Sequence, residues 1–196
     1  MGWAKEGEGR VKGLSVAAHE LLGRRTVIYG EAGSGKTLLL ARLLEELVKL
    51  VEGPEITVID LAPSRIAGVG GTLTDYMSLS GLRYLRPGRI YAPRLMACNA
   101  EDLHRYVRHN VEEARQLFET YAEKPTKHLA VNDLTIYLHG ADVDELERYI
   151  VSAETFIATA YYGTRLDQDY GTGLSRLEKT RVEELLRRVD KTILIN

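Results

Sequence analysis

The chain is 196 residues long, 44% hydrophobic and 28% charged, with a formal net charge of −2. That length suits one domain with a core of its own, and the composition excludes a disordered chain. The near-neutral balance excludes a generally basic nucleic-acid coat, and a single cysteine, Cys98, excludes an internal disulfide framework or a cysteine zinc site.

In chain order, the opening MGWAKEGEGR has no apolar signal region, and no run of about 18 apolar residues occurs anywhere. The expected location is the cytoplasm, without a membrane partner. Residues 1–13 read as a loose polar arm, Trp3 as a packing or interface residue and Cys98 as a small core residue. Ser15 to Leu22 reads as a short helix capped by Ser15. Thr26 to Tyr29 is a short apolar strand running into a glycine-rich turn. Lys36 to Val51 is a helix whose broad leucine face predicts deep burial, stopped by Gly53-Pro54. Ile56 to Asp60 is a second buried strand, and residues 61–99 read as irregular.

Ala100 to Tyr121 is a helix, Leu129 to Asp133 a third strand, and Val143 to Ala153 a helix with Asp142 as its N-cap. Phe156 to Tyr161 is a fourth strand, residues 163–173 a polar loop, Leu174 to Val189 a helix, and Thr192 to Ile195 a fifth strand. Apolar strands alternating with helices predict an α/β fold of three layers, a mostly parallel sheet with helices on both faces. One domain over residues 1–196 suffices.

Gly30-Glu31-Ala32-Gly33-Ser34-Gly35-Lys36-Thr37 fits G-x-x-x-x-G-K-[ST], follows a strand and opens a helix, which is the setting of a phosphate-binding P-loop. Glycines let the backbone wrap a phosphate with its N–H groups inward, and the helix directs its positive end at the anion. Lys36 is expected to bridge the β- and γ-phosphates and the Thr37 hydroxyl to ligate Mg²⁺. Asp133, after the apolar run Leu129–Val131, is the expected second magnesium residue, acting through a water. Asp60, after Ile56–Ile59, is its rival for that position.

These motifs resemble the RecA/RadA/KaiC branch of P-loop ATPases. GEAGSGKT at 30–37, VIDLAPSRI at 58–66, VNDLTIYLHGAD at 131–142 and LSRLEKTRVEELLRRVDKTILI at 174–195 follow that family's order, so the likeness spans roughly residues 11–196. The resemblance implies a sheet ordered last strand, first, fourth, third, second. It implies ATP and Mg²⁺ as ligands, and a site completed by a neighbouring subunit, hence a homo-oligomer or a protein partner. Two positions depart from the family pattern. Where a catalytic glutamate follows the second strand in active members, this chain reads Ile59-Asp60-Leu61-Ala62, leaving Asp60 as the candidate to activate water. Where a polar sensor ends the fourth strand, it reads Thr159-Ala160-Tyr161, and Thr159 is the nearest polar residue.

Arg83, Arg86, Arg89 and Arg94 crowd one acid-free segment. They suit a nucleic-acid backbone, a clamp for a second phosphorylated substrate, an arginine finger for a neighbour, or a surface paired with acids elsewhere. The 163–173 loop carries Asp167 and Asp169 against Arg165, which argues against DNA there. His104, Arg105, Arg108 and His109 form helix-spaced pairs with no third metal ligand, and a solvated face is the default. Residues 61–110 hold seven basic against three acidic residues, and residues 111–196 eleven against sixteen, which favours a protein over a nucleic-acid partner.

The expected function is ATP binding with slow or partner-stimulated hydrolysis, in DNA repair or recombination or as an assembly regulator. Two alternatives stay open: a regulator that binds ATP without hydrolysing it, and a small-molecule or nucleotide kinase.

Overall fold

The computed structural model describes residues 16–65 and 71–196. The expected arm, Trp3 and the Ser15 cap lie outside these residues, as does part of the glycine-rich stretch after Ile66.

Six strands make one all-parallel sheet: β1 (Arg25–Gly30), β2 (Ile56–Asp60), β3 (Arg83–Leu85), β4 (His128–Asn132), β5 (Thr155–Tyr161) and β6 (Lys191–Ile195). Their order is β3-β2-β4-β5-β1-β6. The five expected strands take the implied order, and β3 adds an edge beside β2. Sequence patterning missed β3 because its three residues, Arg-Tyr-Leu, carry no apolar run. The fold is a three-layer, RecA-like P-loop architecture.

Alternation along the strands sends side chains to two cores. Ile28, Ile56, Val58, Ala130 and Ile157 meet α1 (Lys36–Leu47) and a 3-10 turn at Ala18–Leu21. Val27, Ile59, Leu129, Val131, Phe156 and Ala158 face the opposite layer. That layer holds α3 (Ala100–Glu123), α5 (Val143–Ile150) and α6 (Leu174–Arg188). Two short helices, α2 (Pro93–Met96) and α4 (Thr135–Leu138), follow β3 and β4 in the chain. Central strands are buried on both faces, as parallel sheets require.

Several ends differ from expectation. α1 stops at Leu47, since the N–H groups of Lys49 and Leu50 turn back three residues, and Val48 and Leu50 are exposed with no core to face. α5 stops at Ile150, where the Ser152 hydroxyl donates to the Tyr149 carbonyl. Asp142 does cap it, accepting from the Glu145 N–H at 2.7 Å. Cys98 is exposed rather than a core residue.

Candidate functional site

The P-loop leaves β1 at Gly30, whose φ is +149°. A Cβ there would lie 2.0 Å from the Ile195 carbonyl oxygen, so the close approach of β6 requires this glycine independently of any phosphate. Gly33 and Gly35 take left-handed φ of +77° and +93°, with open space where a Cβ would project. Gly35 is the N-cap of α1, and neither a side-chain cap nor an acid occupies the first turn. The first N–H groups of that helix are therefore left for an anion.

Lys36 is 8% exposed. Its Nζ donates to the Gly30 carbonyl at 3.0 Å and to the Glu31 carbonyl at 2.6 Å, which holds the ammonium inside the loop. Burial lowers its pKa, against the opposing pull of Asp133 and Glu31. The Glu31 carboxylate accepts from three backbone N–H groups: Ala32 at 2.7 Å, Thr164 at 2.7 Å and Arg165 at 3.3 Å. Burial pushes Glu31 up, but these donors hold it below the usual carboxylate range. The loop after β5 is thus tied to the phosphate loop.

The Thr37 hydroxyl lies 3.1 Å from Asn132 Oδ1. Thr159 Oγ1 donates to the same oxygen at 2.9 Å, and Asn132 Nδ2 donates to Asp60 Oδ1 at 2.9 Å. Two hydroxyls on the oxygen and a carboxylate on the nitrogen fix which way the amide points. Thr37's partner is Asn132, one residue before the Asp133 that the sequence suggested. The reason is strand parity. Ala130 and Asn132 share the face that packs on α1, while Leu129 and Val131 point away. Counting back from the strand end by twos was the available signal.

Asp133 follows the strand, half-buried, on the wall of the same cavity as Lys36. One carboxylate oxygen accepts from the Thr135 backbone N–H at 3.1 Å and from its hydroxyl. Burial raises its pKa, against the Lys36 ammonium and the Thr135 donors. Asp60 sits elsewhere. It is fully buried and accepts from Leu73 N–H at 2.8 Å, Tyr84 OH at 3.0 Å and the Asn132 amide. Burial raises its pKa too. It does not line the cavity, where the sequence led us to expect a residue that activates water. Ala62, where the resemblance implies a glutamate, does line the cavity.

The cavity measures about 310 Å³ and is lined by the P-loop together with Ala62, Asp133, Arg65, Arg94 and Glu178. On its wall Arg94 grips Glu178 through both terminal nitrogens, at 3.1 and 2.9 Å, and His139 Nε2 lies 2.6 Å from the same carboxylate. All three are buried. Burial raises Glu178, yet His139 and Arg94 outweigh it and keep the carboxyl below its ordinary value.

The other arginines of the dense segment are bound internally. Arg83 donates to the Thr120 carbonyl at 2.6 Å and to that of Lys124, closing the C-terminus of α3. Arg86 donates to the Ala62 carbonyl at 3.0 Å and pairs with Asp60 at 3.6 Å. Arg89 lies over the Tyr91 ring. On α3, Arg105 pairs with Asp102, and His109 Nε2 lies 3.2 Å from the Arg89 carbonyl.

The donors present fit a magnesium–nucleotide. The loop offers open N–H groups and an ammonium to phosphates, and the Thr37 hydroxyl on the cavity wall is an oxygen of the kind a hard cation takes, held by the buried Asn132 Oδ1 behind it.

No protein-family model matches the sequence, and neither does any curated protein. Solved structures of similar shape include the following two. One is the flagellar accessory protein FlaH from Methanocaldococcus jannaschii, with a TM-score of 0.45 and 15% identity over 82% of this chain and 68% of that one. The other is an ATPase from the type III secretion system of pathogenic bacteria, with a TM-score of 0.46 and 15% identity over 89% of this chain. This chain spans about half of that protein, 51%. Among the described residues, no helix is long and apolar enough to cross a membrane.

Proposed function

We propose that this chain is a RecA-like P-loop ATPase that binds Mg-ATP at Gly30–Thr37 and hydrolyses it slowly or under stimulation by a partner. The carrying observation is the uncapped α1 N-terminus behind left-handed Gly33 and Gly35, with Lys36 held in the loop above it. In this reading Glu31 to Gly35 wrap the phosphates, Lys36 neutralises them, and Thr37, its hydroxyl oriented by Asn132, addresses the metal. Bound Mg²⁺ would supply charge neutralisation between the β- and γ-phosphates.

Asp133 takes the role of proton acceptor for the attacking water. It lines the cavity, its carboxyl is raised by burial, and Glu178, the other carboxylate on the wall, is committed to Arg94 and His139. Ala62 in place of a glutamate and a neutral Asn132 beside Thr37 both argue for slow turnover. The same two residues favour the second reading, a regulator that binds ATP without turning it over. Nucleic acid is the less favoured partner, since Arg83, Arg86 and Arg94 are bound within the chain and, of the arginines in that dense segment, only Arg89 is exposed. The proposed partner is another copy of this chain or a second protein, and an exposed free thiol at Cys98 suits a reducing cytoplasm.

The test is nucleotide binding and phosphate release by wild type and Lys36→Ala. The reading expects Mg-dependent ATP and ADP binding that Lys36→Ala abolishes, and slow Lys36-dependent release of phosphate. Binding with no release above the Lys36→Ala background selects the regulator, and phosphate transferred to a small acceptor selects a kinase.

A further inference from the structure

Two arginines reach the cavity wall, Arg65 and Arg94. Arg94 is buried, and both of its terminal nitrogens are taken by Glu178. Arg65 is exposed, and among the described residues it has no carboxylate partner within ion-pair distance. Its one side-chain hydrogen bond there runs from Nη2 to the Tyr76 hydroxyl at 2.7 Å. The guanidinium also lies over the Tyr76 ring, 5.8 Å from its centre. Tyr76 in turn packs on the core beneath α1. The backbone around Arg65 is fixed from the other side, where Gly71 N–H donates to the Pro63 carbonyl at 3.1 Å. An arginine is thus positioned by a tyrosine on the wall of the cavity that Lys36 enters, and among the described residues only its Nη2 is engaged.

Anchored this way, a guanidinium suits one class of ligand. Its planar fork of N–H groups matches phosphate oxygens, and its charge persists at any working pH. Arg65 lines the same cavity as Gly33, Gly35 and Lys36 and follows β2, the strand beyond the β4 whose Asn132 meets Thr37, which is the side toward which the last phosphate of a triphosphate would extend and a diphosphate would not.

Resting on the proposed nucleotide site, we infer that Arg65 contacts the γ-phosphate from within the same chain, so that this site tells triphosphate from diphosphate without a cation from a neighbouring subunit. Tyr76 is the positioning residue for Arg65.

The experiment measures calorimetric binding of a non-hydrolysable ATP analogue and of ADP, each with Mg²⁺, to wild type, Arg65→Ala, Arg65→Lys and Tyr76→Phe. Arg65→Ala is expected to weaken the triphosphate analogue by about 10- to 100-fold and ADP by less than about 3-fold, the loss of a charge-assisted contact to one phosphate. Arg65→Lys restores part of the difference, and Tyr76→Phe, which keeps the ring and drops the hydroxyl, gives a smaller selective loss. Mixing Arg65→Ala with Lys36→Ala supplies an intact Arg65 in trans to an intact P-loop. Contact within one chain predicts no recovery of triphosphate affinity in the mixture.

Equal loss for both nucleotides, no loss for either, or recovery in the mixture overturns the inference while leaving Mg-ATP binding in place. Wild type that binds neither nucleotide overturns both readings together.

Discussion

Asn132 Oδ1 lies 3.1 Å from the Thr37 hydroxyl, and its amide nitrogen lies 2.9 Å from Asp60. A neutral side chain thus stands between the phosphate-loop threonine and a buried carboxylate. An acid at position 132 would set two carboxylates against each other, with Asp60 already raised by burial. The asparagine gives Thr37 an acceptor and Asp60 a donor at once.

Asn132→Asp is therefore expected to destabilise the free protein at neutral pH by about 2 kcal/mol or more, through like-charge repulsion in a buried place. The loss should shrink as the pH falls and one of the pair takes a proton. Mg²⁺ with nucleotide should raise the melting temperature of the variant more than that of wild type. Thermal melts with and without Mg-nucleotide check this, and a variant as stable as wild type at pH 7 contradicts the contact with Asp60.

Glu178 carries a second prediction. Its folded carboxyl titrates below the ordinary 4.5: burial raises it, but His139 and Arg94 lower it more. A depressed carboxylate contributes stability that is complete above the unfolded value and is lost as pH falls through the folded one. Glu178→Gln should be less stable at pH 7 by about 2–4 kcal/mol, since Arg94 and His139 lose a buried partner. Below about pH 4.5 the gap should narrow, wild type losing stability that the variant never had. Denaturant unfolding of both proteins across pH 3–7, as an approximate window, reads the difference directly. A constant gap refutes the assignment.

Gly163→Ala tests the tie between the phosphate loop and the loop after β5. A Cβ at Gly163 would fall 2.3 Å from Glu31 Oε2. The carboxylate is the far end of a flexible side chain and can move, so the cost in stability should be about 1 kcal/mol or less. Its bonds to the Thr164 and Arg165 N–H groups would break. Hydrogen exchange at those two amides is expected to accelerate while β1 and β5 stay protected. Unchanged protection at both amides rules out the tie.

Arg83→Ala addresses the arginine-dense segment. Its guanidinium donates to the Thr120 and Lys124 carbonyls, so removing it uncovers the C-terminal carbonyls of α3. Expected is a loss of about 0.5–1.5 kcal/mol with fraying of the last turn of that helix, and no change in nucleotide binding. Hydrogen exchange across residues 118–124 and a nucleotide titration read both parts. Weakened nucleotide binding in this variant would return Arg83 to the site.

The phosphate loop and the α/β alternation were legible in the sequence, because each is written in consecutive residues. Glycine spacing sets backbone freedom, and apolar runs set burial within one strand or one helix. The glycine-rich turn falls between β1 and α1, and the five apolar strands stand within a residue of where that reading put them. β3, α2 and α4 were not legible, since elements of three or four residues take their shape from what they pack against. Asp142 was legible as a cap because its partner, Glu145, is three residues away.

What the tertiary structure alone decided is which groups meet. Asp60 and Asp133 look alike in sequence, an acid after an apolar strand. One is sealed under Tyr84 and Asn132, while the other lines the cavity. Of two arginines on that cavity wall, Arg94 is neutralised by Glu178, 84 residues on, and Arg65 is held by a tyrosine instead. Such pairings depend on the register of strands distant in the chain and on the parity of the last residue of each. Local periodicity carries the shape of an element, but the charge a side chain finally faces belongs to another element.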